Sequence, residues 1–164
     1  EQRTHGKATR VVVPMDIASF DQLQLAWLVA ELRRRHTYAS SLATEFEADV
    51  LRERPALNEL VRRLSSFGIG IVLSDQSLAH VDEFQSLPFN MLRIPHSQVA
   101  ALSTEEFVKI FGNWRASGRA TIVDGISDVT AVSHLWSMGV EYVQGDALAT
   151  AGPRLDYESA QMES

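Results

Sequence analysis

Four polar side chains stand at or beside the ends of short apolar runs, and their types suit them to chemistry. They are Asp75, Arg93, Asp124 and Gln144. A carboxylate or an amide can form hydrogen bonds to a ligand, and a guanidinium can donate two parallel hydrogen bonds to a phosphate. In parallel α/β barrels, the ends of several strands present the site residues in this way. The sequence therefore predicts a binding site built from strand ends.

Alternating strands and helices are predicted to position these residues. Apolar and β-branched runs predict six strands, at 10–14, 41–46, 69–73, 90–94, 120–124 and 142–144. Caps, glycine stops and apolar spacing predict helices at 20–35, 55–67, 81–87, 103–117 and 129–138. A strand and a helix that repeat every ~25–30 residues are typical of a parallel α/β fold. Because no linker stands out, we expect one domain over residues 1–164.

The helical segments also carry signals for their starts and their buried faces. A capping-box pattern begins at Ser103. Leu23 and Trp27 lie on the apolar face of the first helix. Trp27, Trp114 and Trp136 all occur at helical core spacing, so we expect them to be packed rather than to form a ligand site.

The charge balance and the composition exclude several classes of function. The chain of 164 residues has 15 Lys and Arg against 21 Asp and Glu, a net charge of −6. Non-specific binding to DNA or to anionic membranes needs a basic face, which this balance argues against. With no cysteine, the chain can form no disulfide and no thiolate zinc site. No apolar run approaches the roughly 18–20 residues of a membrane span, so we expect a cytoplasmic location, with membrane attachment through a longer parent protein left open.

Sequence motifs for several other chemistries are absent. The five histidines include no pair at the i, i+4 spacing of a helical metal site. The sequence contains no Gly-x-Ser-x-Gly nucleophile elbow, no Walker loop and no dinucleotide fingerprint. The strand ends therefore remain the main candidates for a site.

The order of the strand ends from Val11 to Asp156 resembles the EAL domain of cyclic di-GMP signalling. The segments 121–127 and 138–146, the second of which contains Gln144 and Gly145, carry the clearest match. The resemblance implies an α/β fold, a (β/α)8 barrel of the TIM type, which hydrolyses cyclic di-GMP with two divalent metals. Only about six βα units are present, because the family's first two units with the Glu-Ala-Leu motif have no counterpart. We expect a partial or modified barrel, either a fragment or truncated form or one that another segment completes.

Most residues that correspond to the family's metal ligands are replaced. The family's asparagine after the third strand corresponds to Pro14, which has no side-chain donor or acceptor. The first glutamate of its fourth strand corresponds to Thr44, or to Glu45 if the register shifts by one residue. Its two adjacent aspartates after the fifth strand correspond to Ser74 and Asp75, which leaves one carboxylate. The resemblance therefore implies the loss of a two-metal cluster.

Three further strand ends keep polar groups. The family's lysine after the sixth strand corresponds to Arg93, which keeps a positive charge but cannot act as an acid or base near neutral pH. The glutamates of the seventh strand correspond to Asp124 and Ser127. The Gln-Gly pair of the eighth strand is kept at Gln144 and Gly145.

We therefore expect a catalytically inactive regulatory domain, similar to the degenerate, FimX-type members of the family. The predicted residues that bind cyclic di-GMP are Asp75, Arg93, Asp124 and Gln144, and no catalytic residue, metal or cofactor is predicted. A regulatory protein partner is expected, DNA binding is not, and a homodimer is an open alternative. Two other functions stay open. One is a purely protein-binding scaffold that no longer binds nucleotide, and the other is a residual metal-dependent phosphodiesterase.

Overall fold

Six short strands run parallel in one sheet, and their order in the sheet is their order in the chain. The computed structural model describes residues 11–14, 22–34, 36–78 and 81–148. The strands are β1 Val11–Pro14, β2 Leu42–Glu47, β3 Gly70–Ser74, β4 Met91–Pro95, β5 Ala120–Asp124 and β6 Tyr142–Val143. Each strand pairs in parallel with the next one, and the sheet curls into a partial barrel. This architecture confirms the predicted partial (β/α)8-type fold.

The helices lie between the strands, as the sequence pattern predicts. They are α1 Gln22–Arg34, α2 Ala48–Glu53, α3 Leu57–Ser66, α4 His96–Ala100, α5 Thr104–Ala116 and α6 Thr130–Ser137. Short 3₁₀ helices form at His36–Ser41 and Val81–Phe84, so the predicted helix at 81–87 is only one 3₁₀ segment. The short helices α2 and α4 lie outside the predicted helices, because so few residues show no apolar periodicity. Among the described helices, none is long and apolar enough to cross a membrane.

The two faces of the sheet carry two separate apolar clusters. Ile71 and Leu73 of β3 pack into the large cluster with the helices, whereas Val72 between them packs on the opposite, inner face. The inner cluster consists of Ala43, Val72, Met91 and Ile122. Because both faces are covered, all residues of β3 are buried, which explains the continuous apolar run in its sequence.

Helix α5 begins at the predicted capping box. The Ser103 hydroxyl accepts a hydrogen bond from the backbone N–H of Glu106 at 3.3 Å, and the Glu106 carboxylate accepts one from the backbone N–H of Ser103 at 2.9 Å. Hydrogen bonds from the Ser103 hydroxyl and backbone lower the pKa of Glu106. The cap fixes the start of the helix, whose buried residues are Phe107, Phe111 and Trp114.

The helices beside the two end strands expose apolar side chains that the sequence predicts to be packed. Trp114 is 4% exposed, as predicted, but Trp27 is 66% exposed and Trp136 is 51% exposed. Leu23, which belongs to the predicted buried face of the first helix, is 81% exposed. The prediction for these last three side chains is wrong. Helix α1 follows β1 and helix α6 precedes β6, and these two strands form the ends of the described sheet. Among the described elements, each end strand has a neighbouring strand on one side only.

Alanine substitutions should distinguish the buried tryptophan from the exposed one. Trp114→Ala removes a packed indole, so we expect the free energy of unfolding in urea to fall by about 3–5 kcal/mol. The control Trp27→Ala removes an exposed indole and should change that free energy by less than about 0.5 kcal/mol. Equal losses in the two variants would contradict this packing.

Candidate functional site

The guanidinium of Arg93 lies where oxygen atoms from three other strands converge. Its Nε is 3.0 Å from Oε2 of Glu45, and its Nη1 donates a hydrogen bond to Oε1 of Gln144 at 2.8 Å. Nη1 is also 3.8 Å from Oδ2 of Asp124. We call these four residues the Arg93 cluster. The side chain of Arg93 is 13% exposed and that of Glu45 is 16% exposed, so this ion pair is largely desolvated.

The alternation of side chains along the strands brings the Arg93 cluster together. Successive residues of a strand point to opposite faces, so residues two positions apart share a face. Glu45, Arg93 and Asp124 each lie two positions after a member of the inner apolar cluster. Gln144 follows directly after β6. The Arg93 cluster is therefore a polar layer at the carboxyl ends of the strands, above an apolar floor, as a parallel barrel predicts.

A close contact between two strand-end loops holds Gln144 in position. Its backbone N–H donates to the Val123 carbonyl at 2.9 Å, and its carbonyl accepts from the Ile126 N–H at 3.1 Å. Gly145 approaches Ile126 so closely that a Cβ atom on it would lie 2.2 Å from the Ile126 carbonyl oxygen. Because only glycine fits such an approach, Gly145 lets the preceding glutamine reach Arg93.

Asp75 follows β3 by one position and takes part in a local turn. Its Oδ1 accepts hydrogen bonds from the backbone N–H of Ser77 at 3.0 Å and from the Ser77 hydroxyl at 3.1 Å. Its backbone N–H donates to the Arg93 carbonyl at 3.1 Å, and the residue is 2% exposed. The structure thus gives Asp75 a part in the turn after β3, whereas the other three predicted residues meet in the Arg93 cluster.

Glu45 is the member of the cluster whose role the sequence leaves open. The resemblance assigns one strand-end position to either Thr44 or Glu45. In the structure Glu45 contacts Arg93, and Thr44 is buried; as its neighbour on the strand, Thr44 belongs to the opposite face. The sequence holds a signal for this choice, since Glu45 lies two positions after Ala43 of the inner cluster.

The Arg93 cluster combines one guanidinium with two carboxylates, a formal net charge of −1. Although Nε of Arg93 is 3.0 Å from Glu45, its N–H is not aligned for a hydrogen bond, so the contact is an ion pair. The guanidinium offsets the repulsion between the two acids.

Within the described ranges, no group of three or more His, Asp or Glu side chains is arranged to hold a metal ion. An anion that replaces one carboxylate could bind this guanidinium.

The sequence comparison identifies the family. Residues 1–151 match the family model of the EAL domain. The chain belongs to the EAL domain family. This membership confirms the predicted resemblance. Among curated proteins, no sequence matches the chain.

Solved structures share the fold of this EAL domain at low sequence identity. The FimX EAL domain of Xanthomonas citri, in complex with c-di-GMP, has a TM-score of 0.77 and 19% identity, over 92% of this chain and 63% of its own. The FimX EAL domain of Pseudomonas aeruginosa, bound to c-di-GMP, has a TM-score of 0.76 and 21% identity, over 92% of this chain and 65% of its own. Bacillus subtilis YkuI, in complex with substrate c-di-GMP and calcium, has a TM-score of 0.71 and 16% identity, over 86% of this chain and 37% of its own. The chain therefore spans 63–65% of the two FimX chains and shares their fold.

Substitution of Gly145 should disturb the site and the fold together. In Gly145→Ala the new methyl group must displace the backbone of Ile126, so we expect the free energy of unfolding in urea to fall by about 2 kcal/mol or more. The control is Gly112→Ala in α5, where a Cβ meets no atom within 4 Å. That variant should gain up to about 1 kcal/mol, because alanine favours a helix interior over glycine. A neutral Gly145→Ala variant would show that the two loops do not meet this closely.

Proposed function

We propose that this EAL domain is a non-catalytic regulatory module that binds cyclic di-GMP at the Arg93 cluster. One observation carries the proposal: a guanidinium occupies the point where two carboxylates and an amide oxygen converge. A positive side chain at this point suits recognition of a phosphate, which would take the place of one of the paired acids.

The position of Arg93 supports a non-catalytic role. Metal-assisted hydrolysis needs carboxylates that are free to hold divalent cations next to an activated water. Here Glu45 and Asp124 face a fixed positive charge, which repels a second cation. Arginine carries a fixed positive charge, so Arg93 does not supply a general base.

The same position supports recognition of a nucleotide. A guanidinium binds a phosphate through charge-assisted hydrogen bonds, and those bonds are strongest where water is excluded. The Gln144 amide and the Asp124 carboxylate have donor and acceptor groups of the kind that read a purine edge. Two FimX EAL domains that share the fold contain c-di-GMP, at 19% and 21% identity. Because Arg93 is already paired with Glu45, the ligand must compete with that carboxylate.

A protein-binding scaffold without nucleotide is the second candidate, and exposed apolar side chains favour it. They lie at both ends of the described sheet: Val11, Val13, Leu23, Trp27, Trp136 and Tyr142. Large apolar groups that cluster on a surface are typical of contact sites for other proteins. A regulatory partner or a second copy of the chain would fit such a surface.

Calorimetry with cyclic di-GMP tests the main proposal. We expect the wild-type domain to bind with a dissociation constant in the micromolar range or below. Arg93→Ala should weaken binding at least about tenfold, because the phosphate loses its guanidinium. Arg62→Ala removes the same charge from the exposed surface of α3 and should leave the affinity unchanged. A parallel assay with magnesium or manganese should detect no hydrolysis.

Two outcomes would overturn this proposal. Wild-type protein that releases no heat at high micromolar concentration would rule out nucleotide binding and favour the scaffold. Turnover of cyclic di-GMP that Asp75→Ala abolishes would instead establish a phosphodiesterase. The circular dichroism of each variant should be recorded first, so that loss of binding is not confused with loss of fold.

Removal of the competing carboxylate should strengthen the binding of nucleotide. In Glu45→Gln the guanidinium of Arg93 is released from its ion pair, so we expect cyclic di-GMP to bind about tenfold more tightly. Glu105→Gln removes the same charge from an exposed position of α5 and should leave the affinity unchanged. Weaker binding in Glu45→Gln would mean that Glu45 positions Arg93 for the ligand rather than competing with it.

A further inference from the structure

Glu47 places a further carboxylate on the inner face of the sheet, beside the Arg93 cluster. It is the last residue of β2, two positions after Glu45, so the two side chains share a face. In the sheet, Glu47 lies opposite Ser74 of β3, and Ser74 lies opposite Arg93 of β4. Residues that lie opposite each other on neighbouring strands point to the same side. Glu47, Ser74 and Arg93 therefore form one row across three strands, near their carboxyl ends.

The carboxylate of Glu47 lacks the contacts that hold the other acids of this face. Glu47 directly precedes α2, but its side chain makes no capping hydrogen bond to that helix. The residue is exposed, and within the described ranges its carboxylate makes no hydrogen bond and no ion pair. By contrast, Glu45 and Asp124 both lie near the guanidinium of Arg93. Glu47 thus keeps its hydrogen-bond acceptors for a group that comes from outside the described protein.

A small side chain lies between Glu47 and Arg93. Neighbouring strands are ~4.8 Å apart, so the two residues are separated by ~10 Å across β3. Ser74 lies between them and is 3% exposed, and its hydroxyl accepts a hydrogen bond from the Gln76 amide at 3.4 Å. Because the serine side chain is short, it does not separate the carboxylate from the guanidinium. A nucleotide whose phosphate binds Arg93 can therefore extend its base over Ser74 to Glu47.

A carboxylate distinguishes between the two purine bases. Guanine has two neighbouring N–H donors on its Watson–Crick edge, and a carboxylate accepts hydrogen bonds from both. Adenine has a ring nitrogen with a lone pair at the corresponding position, and a carboxylate repels that lone pair. An unpaired glutamate within reach of a bound nucleotide therefore favours guanine over adenine.

We propose that Glu47 is a specificity-determining residue, which selects guanine by accepting hydrogen bonds from its Watson–Crick edge. This inference rests on the function proposed above, because it requires that Arg93 binds the phosphate. The guanidinium attracts a cyclic dinucleotide of either base, and Glu47 supplies the preference for cyclic di-GMP over cyclic di-AMP.

Calorimetric titration of the wild type and of Glu47→Gln with cyclic di-GMP and with cyclic di-AMP tests this role. We expect the wild type to bind cyclic di-GMP at least about tenfold more tightly than cyclic di-AMP. Glu47→Gln should weaken the binding of cyclic di-GMP about fivefold or more, because an amide offers one acceptor oxygen in place of two. The affinity for cyclic di-AMP should stay the same or rise. The direction decides, since the loss of a negative charge beside an anionic ligand would by itself tighten the binding of both nucleotides.

Glu53→Gln is the matched control, because it removes the same charge from an exposed position at the other end of α2. That variant should bind both nucleotides like the wild type. The role of Glu47 is overturned if the wild type binds both nucleotides equally, or if Glu47→Gln binds cyclic di-GMP as tightly as the wild type or more tightly. Either result leaves nucleotide binding itself intact. A wild type that binds neither nucleotide would overturn the proposed function and this inference together. Urea unfolding of both variants should match that of the wild type, so that weaker binding is not confused with loss of fold.

Discussion

A nearly buried guanidinium that is shared by groups from the ends of three other strands is the interaction on which this site depends. Arg93 belongs to β4, and it contacts Glu45 of β2, Asp124 of β5 and Gln144 after β6. Removing charges from water is costly, and their mutual attraction offsets that cost only while every member stays in place. The loss of one partner would leave an unpaired charge in a largely desolvated layer. The residue type that each of these strand ends can carry therefore depends on the residue types at the other strand ends.

The open ends of the sheet impose a second constraint. Within the described ranges, β1 and β6 each pair with one strand only, and unpaired backbone groups at a sheet edge attract further strands. Between β5 and the short strand β6, a side chain replaces a backbone partner: the Glu141 carboxylate accepts a hydrogen bond from the Thr121 N–H at 2.9 Å. Exposed apolar side chains lie next to both of these strands in the part of the chain that the structure describes.

Sequence reasoning recovers the features that depend on local order. The apolar run of β3 and the capping box at Ser103 identify elements that form as predicted. Sequence reasoning fails where the burial of a side chain depends on which other elements pack against it. Helical spacing shows that Trp27 lies on an apolar face, but only the position of α1 beside an end strand shows that nothing in the described chain covers it. The site follows the same division: Arg93, Asp124 and Gln144 come from strand ends that the pattern locates, whereas the choice of Glu45 over Thr44 depends on which residue of β2 faces inward.

Strand β5 is held at both of its ends. Arg119 directly precedes this strand and donates hydrogen bonds to the carbonyl oxygens of Gln85 and Leu87, and Asp124 of the Arg93 cluster is its last residue. Five residues of strand span roughly 16 Å. Pairing with β4 runs along the whole strand, from Met91 opposite Ala120 to Pro95 opposite Asp124. A strand that is paired along its length shifts only together with its neighbours. The Asp124 carboxylate is therefore held in place by the whole strand on which it stands.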